Sequence, residues 1–358
     1  MASAIDALAT RQNYADHIFP IWRALPEQHR GTFYVSSNLA TYAAAAGIPA
    51  VQGRVPTRPN IPILVAAFSD LRAAPHRPVI LQEHGSGQTY SDSDDGSYAG
   101  GRGRDSVVLF LCPSERIAAL NLARYPSAHA AVVGCPKLDP FLPAPPPRPL
   151  PTSPIVVFST HANIHINSET RSGARHFLPA IPILLAAGYR VVGTAHPRIY
   201  SRLRRAYDHL GIDHTDSFDE VLRTADSYVV DNSSSGFEFY AAHQRGLVWC
   251  SPPHYRRDVH HGLRFWDALI LGGHATTPEE VPAAVAAALT PPSPELAAAR
   301  DSFIRSVYHH LDGRSSTRAA AAIVAYLEGR LEDLDALDRD PDDGSVAGPV
   351  DLDLRPSP

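Results

Sequence analysis

Lysine and cysteine are scarce, and motif glycine loops are missing. Cys112, Cys135 and Cys250 are odd in number, far apart and in none of the paired spacings that bind zinc or form redox couples. A disulfide framework and a zinc fold are therefore excluded, and the thiols are expected to be buried. No run approaches the roughly 20 apolar residues that cross a bilayer, and the N-terminus lacks the basic, apolar and small-residue order of a signal peptide. A soluble cytoplasmic protein is expected, with peripheral attachment to a membrane left open. No Gly-x-Gly-x-x-Gly, Walker loop or Gly-x-Ser-x-Gly occurs, so nicotinamide, ATP-hydrolysing and serine-hydrolase readings lose their main support. Lys137 is the single lysine, so nearly all basic charge is arginine. Residues 331–358 hold nine acids against Arg339 and Arg355, which leaves a near-neutral body. Nucleic-acid binding as a main function is not expected.

What is present is apolar enough for two cores: 358 residues at 44% hydrophobic exceed the size at which a single core usually stops growing. Periodicity predicts helix over residues 1–30, with Ile18, Ile21, Trp22 and Leu25 on one face. Strands follow at Thr32–Ser36, within Ile61–Phe68, at Pro78–Glu83, Val107–Leu111 and Ala130–Gly134, with helices between them. Eight prolines from Pro140 to Pro154, with Pro136 just before, read as a stiff linker. The alternation restarts at Ile155, with helices expected at 173–187, 199–210, 218–225 and 235–244. Strands fall at 190–195, 213–215, 227–230 and 247–250, and further helices at 279–289, 294–311 and 317–327. This pattern predicts an α/β protein of two doubly wound, Rossmann-like domains, 1–140 and 155–330, joined by the linker 141–154. The last helix is free to pack back on the first domain, and the acidic tail from 331 is expected to be disordered.

Three polar groups are predicted at the carboxyl ends of strands, where such sheets bind ligands. His84 precedes Gly85, His196 precedes Pro197, and Asp231-Asn232-Ser233-Ser234-Ser235 turns from a strand into a helix. Ser235 and Glu238 have the spacing of a capping box. The turn would offer amides and hydroxyls at the positive end of a helix dipole, which suits a phosphate; the alternative is that these residues only cap the helix. Residues 85–106 are nearly all turn formers and read as a mobile loop beside His84. Asp92-x-Asp94 within it has a metal alternative, and so do His161, His165, His260 and His261, without specific spacing. Arg198, Arg202, Arg204 and Arg205 suit a diphosphate or a solvated helix face.

His84-Gly85, Val133-Gly134-x-Pro136-x-x-Asp139, His196-Pro197, Asp231-Asn-Ser-Ser-Ser-Gly-Phe-Glu238, His261-Gly262 and Asp312-Gly-Arg-Ser-Ser-Thr-Arg318 occur in this order. In that order the chain resembles the CDP-glycerol glycerophosphotransferase family, the teichoic-acid and capsule polymerases of GT-B fold, over residues 78–327. The resemblance implies a nucleotide-diphosphate donor, a hydroxyl-bearing acceptor, and neither cofactor nor metal. It implies that His84 is a base near the acceptor with Gly85 beside it and that His196 contacts the donor phosphates. Ser233 and Ser234 would bind the diphosphate, and Glu238 would lie close to the nucleoside. A UDP-sugar transferase or nucleotide-sugar epimerase on the same fold, and a non-catalytic nucleotide-binding module, are the alternatives.

Overall fold

The computed structural model describes residues 3–71, 73–74, 76–84, 104–146, 148–163, 171–252, 255 and 268–334. Gly85, most of the 85–106 loop, His165, His260, His261 and the tail from 335 lie outside them. The first sheet holds β1 (Ile5–Ala9), β2 (Arg30–Val35), β3 (Val51–Gln52), β4 (Ile63–Val65), β5 (Val79–Gln82), β6 (Val107–Cys112) and β7 (His129–Val132). The second holds β8 (Ile155–Phe158), β9 (Arg190–Gly193), β10 (Asp213–His214), β11 (Ser227–Val230), β12 (Leu247–Cys250) and β13 (Gly273–Ala275). The helices are α1 (Gln12–Ala24), α2 (Ala40–Ala45), α3 (Phe68–Leu71), α4 (Glu115–Arg124), α5 (Ala174–Phe177) and α6 (Ala180–Ala186). After them come α7 (Pro197–Leu210), α8 (Phe218–Thr224), α9 (Ser235–His243), α10 (Val281–Leu289), α11 (Pro294–Val307) and α12 (Ser315–Glu328).

Both sheets are parallel, in the orders β3-β2-β1-β4-β5-β6-β7 and β10-β9-β8-β11-β12-β13. Each order reverses direction once, between β1 and β4 and between β8 and β11, and a crevice for ligands opens at the carboxyl edge of such a reversal. Apolar residues cover both faces of each sheet. Parallel strands require this cover because their crossover helices lie on either side. All three cysteines are free and buried.

The helix expected over residues 1–30 is preceded by a strand, β1, at the centre of the first sheet. Its five residues are all buried, Asp6 included. An acid inside Ile-Asp-Ala-Leu-Ala conceals the strand in the sequence; in the fold, Arg77 meets the carboxylate at 2.8 Å and the Thr32 amide donates to it at 2.7 Å. A buried carboxylate is tolerated only with such partners. The helix expected over 173–187 divides into α5 and α6 at Leu178-Pro179, where proline removes a donor. β13 was not expected. The 3-10 turn Arg104–Ser106 trims the end of the expected loop.

The chain crosses between the sheets twice. After β7 it forms the 3-10 turn Pro136–Phe141 and runs on to β8. After α11 it returns, and α12 buries Ala319, Ala322, Ile323 and Leu327 in the core that also holds Ile18 and Trp22 of α1. Burial of aliphatic side chains as large as Ile323 and Leu327 contributes about 1.5–3 kcal/mol each.

Candidate functional site

His84 follows β5 at the carboxyl edge of the first sheet. Helix α1 starts at the same edge, and its Tyr14 and His17 present ring edges to His84 at centroid distances of 5.0 and 6.2 Å. Arg11, the N-cap residue of α1, lies 5.9 Å from the Tyr14 ring.

In the second sheet the reversal point is held by Asp231, directly after β11. Its carboxylate accepts the backbone N–H groups of His161 at 2.6 Å and Gly173 at 2.7 Å, which ties the end of β8 and the start of α5 to the end of β11. Burial outweighs these bonds and raises its pKa to about 6. Both oxygens face protein donors, so Asp231 orders the turn around the crevice.

His196 is the N-cap of α7, and its Nδ1 accepts the Arg198 N–H at 3.1 Å. Burial, then His161 and Arg198, then Arg11 and His84, lower its pKa to about 3. The ring is neutral, and with Nδ1 acting as acceptor its proton must sit on Nε2. His196 therefore offers one N–H donor. His161 stands edge-on to it at 5.1 Å, with its own pKa lowered to about 4, first by burial. The two halves meet nearby, where His17 Nε2 of α1 lies 3.7 Å from Glu238 Oε1 on the helix after β11.

The 231–235 turn differs from the expected capping box. Helix α9 starts at Ser235 with Ser234 as N-cap, and no side chain caps it. Ser233 Oγ accepts the Ser235 N–H at 3.3 Å and shares a hydrogen bond with Ser235 Oγ at 2.7 Å. The Ser235 hydroxyl also bonds Tyr228 Oη at 2.9 Å. A reciprocal box does form elsewhere, between Thr277 and Glu280. Glu238 cannot close one because its carboxylate points away: Lys137 Nζ lies 2.7 Å from Oε2 and His17 Nε2 lies 3.7 Å from Oε1. Asn232 is buried, and its N–H faces Tyr255 Oη at 3.4 Å.

Arg11, His17 and Lys137 complete this region and were not singled out as site residues from the sequence. Lys137 carried the one available signal, its rarity. Burial works against its ammonium, but Glu238 and Asp16 outweigh burial and hold its pKa above the usual value. It also lies 4.4 Å from the centre of the Phe218 ring. All four arginines of α7, Arg198, Arg202, Arg204 and Arg205, are exposed, as a solvated helix face would have them.

No family model matches the chain, and no curated protein matches it in sequence. Solved structures do. The wall teichoic acid polymerase TagF, in a crystal soaked with CDPG, superposes with a TM-score of 0.62 at 11% identity over 93% of this chain and 90% of that one. The UDP-GlcNAc 2-epimerase of Methanocaldococcus jannaschii, in complex with UDP-GlcNAc and UDP, gives 0.59 at 13% identity over 90% and 99%. The calicheamicin glycosyltransferase CalG4 gives 0.51 at 15% identity over 92% and 100%. These likenesses define the class: the chain has the GT-B fold, shared by transferases and epimerases. TagF is of the kind that the motif order in the sequence resembles. Among the described residues no helix is long and apolar enough to cross a membrane.

Proposed function

We propose that the protein is a metal-independent transferase that moves a glycerophosphate or glycosyl group from a nucleotide-diphosphate donor, CDP-glycerol-like, to an acceptor hydroxyl. One observation supports the reading: the charge of His84, at the edge of the first sheet, acts on His196 of the second, whose Nδ1 accepts the Arg198 N–H and leaves Nε2–H to donate. For glycerophosphate transfer, His84 takes the proton from the acceptor hydroxyl while its oxygen forms a bond to phosphorus. The bond to the bridging oxygen of the diphosphate breaks, and its electron pair leaves on the nucleoside monophosphate. His196 Nε2–H, the Ser233 and Ser234 hydroxyls and the amides at the start of α9 stabilise that charge. Asp231 keeps the turn in place, and Asn232 and Ser235 support it.

The likeness to a UDP-GlcNAc 2-epimerase favours a second reading, a UDP-sugar transferase or epimerase. Incubation with CDP-glycerol and with UDP-sugars, each with and without a polyol phosphate or glycan acceptor, separates the two. Release of CMP only with CDP-glycerol and an acceptor supports the first reading. Release of UDP from a UDP-sugar in the presence of an acceptor, or conversion of a UDP-sugar without one, supports the second.

A further inference from the structure

His17 is buried at the boundary between the two halves of the molecule, and the donor–acceptor reading makes no use of it. One side of its ring meets His84 edge-on at 6.2 Å; on another, Nε2 lies 3.7 Å from Glu238 Oε1. His17 and Glu238 side chains are each only 4% exposed. Nδ1 of His17 is buried and makes no hydrogen bond among the described residues. Glu238 belongs to α9, on the second sheet, whereas His17 and His84 belong to the first. Lys137, in the crossing segment, neutralises the other oxygen of Glu238.

We propose that His17 is a positioning residue for His84, held across the boundary by Glu238 and Lys137, so that the setting of the base depends on both halves of the molecule. The proposal rests on the reading of His84 as the base. Burial first, then Lys137 and His84, lower the pKa of His17 well below its usual value, so its ring is neutral. Nε2 is the ring nitrogen that faces Glu238, and in the proposal the proton of the neutral ring sits there, with a lone pair on Nδ1. The geometry is thus a carboxylate, an oriented imidazole and a second imidazole in sequence. The charged and titratable groups around His84 are Arg11, Tyr14 and His17 at the start of α1, and His196 across the crevice. Its neighbour Glu83 is turned away and accepts from Asn121 at 3.1 Å. Asp16, bonded by the Tyr42 hydroxyl, adds a second acid near Lys137.

The full-length protein labelled with [13C,15N]histidine provides the test, the His84 resonance being assigned by its loss in His84→Gln. Glu238→Gln removes an acid and should move the titration midpoint of His84 down by about half a unit to one unit; Lys137→Met removes a cation and should move it up by a similar amount. Lys137→Arg keeps the charge and should leave it within about 0.2 unit of the wild type. His17→Gln, which keeps an N–H toward Glu238, should behave like the wild type, whereas His17→Phe should shift His84. A His84 shift in folded His17→Phe but not in His17→Gln, together with opposed movements in Glu238→Gln and Lys137→Met, supports the proposal; opposed movements with His17→Phe at the wild-type value show charge acting through space alone and overturn it. Movements in the same direction report general loosening and overturn it, as does no movement in either. CDP and UDP affinity is measured on the same samples: a protein that binds neither yet shows opposed shifts keeps this inference and loses the functional reading.

Discussion

Asp139 accepts the backbone N–H of Ser316 at 2.7 Å and that of Ser315 at 2.9 Å, across 176 residues of chain from the latter. The two crossings between the sheets are thereby clasped at the N-terminus of α12. Gly134 and Gly313 permit the close approach. Both have positive φ, and a Cβ on them would meet Ser315 Oγ at 2.6 Å and the Leu142 carbonyl oxygen at 2.4 Å, respectively. Two motifs that looked functional in the sequence, Val-Gly-x-Pro-x-x-Asp and Asp-Gly-Arg-Ser-Ser-Thr-Arg, are in the structure the two sides of this clasp. Arg318 completes it by pairing with Asp312.

Asp139→Ala should therefore destabilise the protein by about 1–3 kcal/mol, the range for a charged N-terminal acceptor whose loss leaves buried helix amides without partners. Denaturant unfolding measures it. Binding of CDP or UDP to the folded fraction should change little, since Asp139 faces α12 and not the crevice. A variant as stable as the wild type would show that water replaces the carboxylate.

The serine turn separates stability from binding. Ser233 accepts the Ser235 amide and shares its hydroxyl bond, so Ser233→Ala should cost about 1 kcal/mol of stability. The Ser234 side chain caps nothing, so Ser234→Ala should leave stability within about 0.5 kcal/mol and weaken binding of a nucleoside diphosphate. Thermal unfolding with and without CDP reads both. Equal losses of stability in the two variants, with unchanged affinity, would leave the turn a purely structural role.

Alternation of strands and helices was legible because most of the parallel strands are short apolar runs between turn formers. β3 and β13 escaped because two or three residues with Gln, Gly or His make no apolar run, and two other exceptions share one cause, stabilisation by distant residues. β1 reads poorly because Asp6 needs Arg77, 71 residues away, to be buried. Ser235 and Glu238 have the spacing of a cap, but Lys137, 101 residues away, holds the carboxylate elsewhere. His84, His196 and the 231–235 turn were found because turn formers follow strands there. Arg11, His17 and Lys137 sit on a helix start, a helix face and a crossing segment, and only the meeting of the two halves gives them significance.

Acid should destabilise the fold above the pH at which ordinary carboxylates are protonated. The pKa values of His161, His196 and His243 are lowered to about 4, 3 and 4, first by burial in each case. Each binds its proton more weakly folded than unfolded, so between about pH 6.5 and 4 acidification favours the unfolded chain. Asp231, raised to about 6, binds its proton more tightly when folded and opposes this trend from about pH 6 downward. His17, lowered first by burial, acts with the three histidines, and Asp16, Asp70 and Asp139, raised by burial, act with Asp231 at the acidic end. Above that end four histidines outweigh Asp231, which predicts a Tm that falls as pH drops from 7 to about 4.5. His243 lies far from the proposed chemistry: Nε2 bonds the Leu222 carbonyl oxygen at 2.8 Å and the ring stacks on Phe239 at 4.4 Å. His243→Gln, which keeps an N–H donor, should therefore flatten the slope. A Tm that is constant or rises on acidification would contradict the assignment of these rings as neutral.

His84→Ala tests the base. A positioned imidazole contributes about 10²–10⁴-fold in rate, so turnover should fall by that order with saturating acceptor. Donor affinity, which the reading assigns to the second sheet, should change little. Near-full turnover would remove His84 from the chemistry.

His196 has two duties that one substitution can separate. Its Nδ1 caps α7 through the Arg198 amide, and its Nε2–H is the donor proposed for the diphosphate. Asparagine is among the best N-cap residues, and its side-chain oxygen occupies nearly the place of Nδ1, but it has no atom at the position of Nε2. His196→Asn should keep the stability of the wild type within about 0.5 kcal/mol, whereas His196→Ala should lose about 1 kcal/mol with the cap. Both should bind CDP or UDP more weakly, by roughly 10- to 100-fold, as expected for a hydrogen bond to a charged group worth about 1.5–3 kcal/mol. Turnover should fall with affinity in both, since the phosphate carries negative charge before and during the reaction. Isothermal titration and thermal unfolding of the two variants decide the matter. If His196→Asn bound nucleotide as tightly as the wild type, the histidine would be a helix cap and the phosphate site would have to lie elsewhere along the crevice.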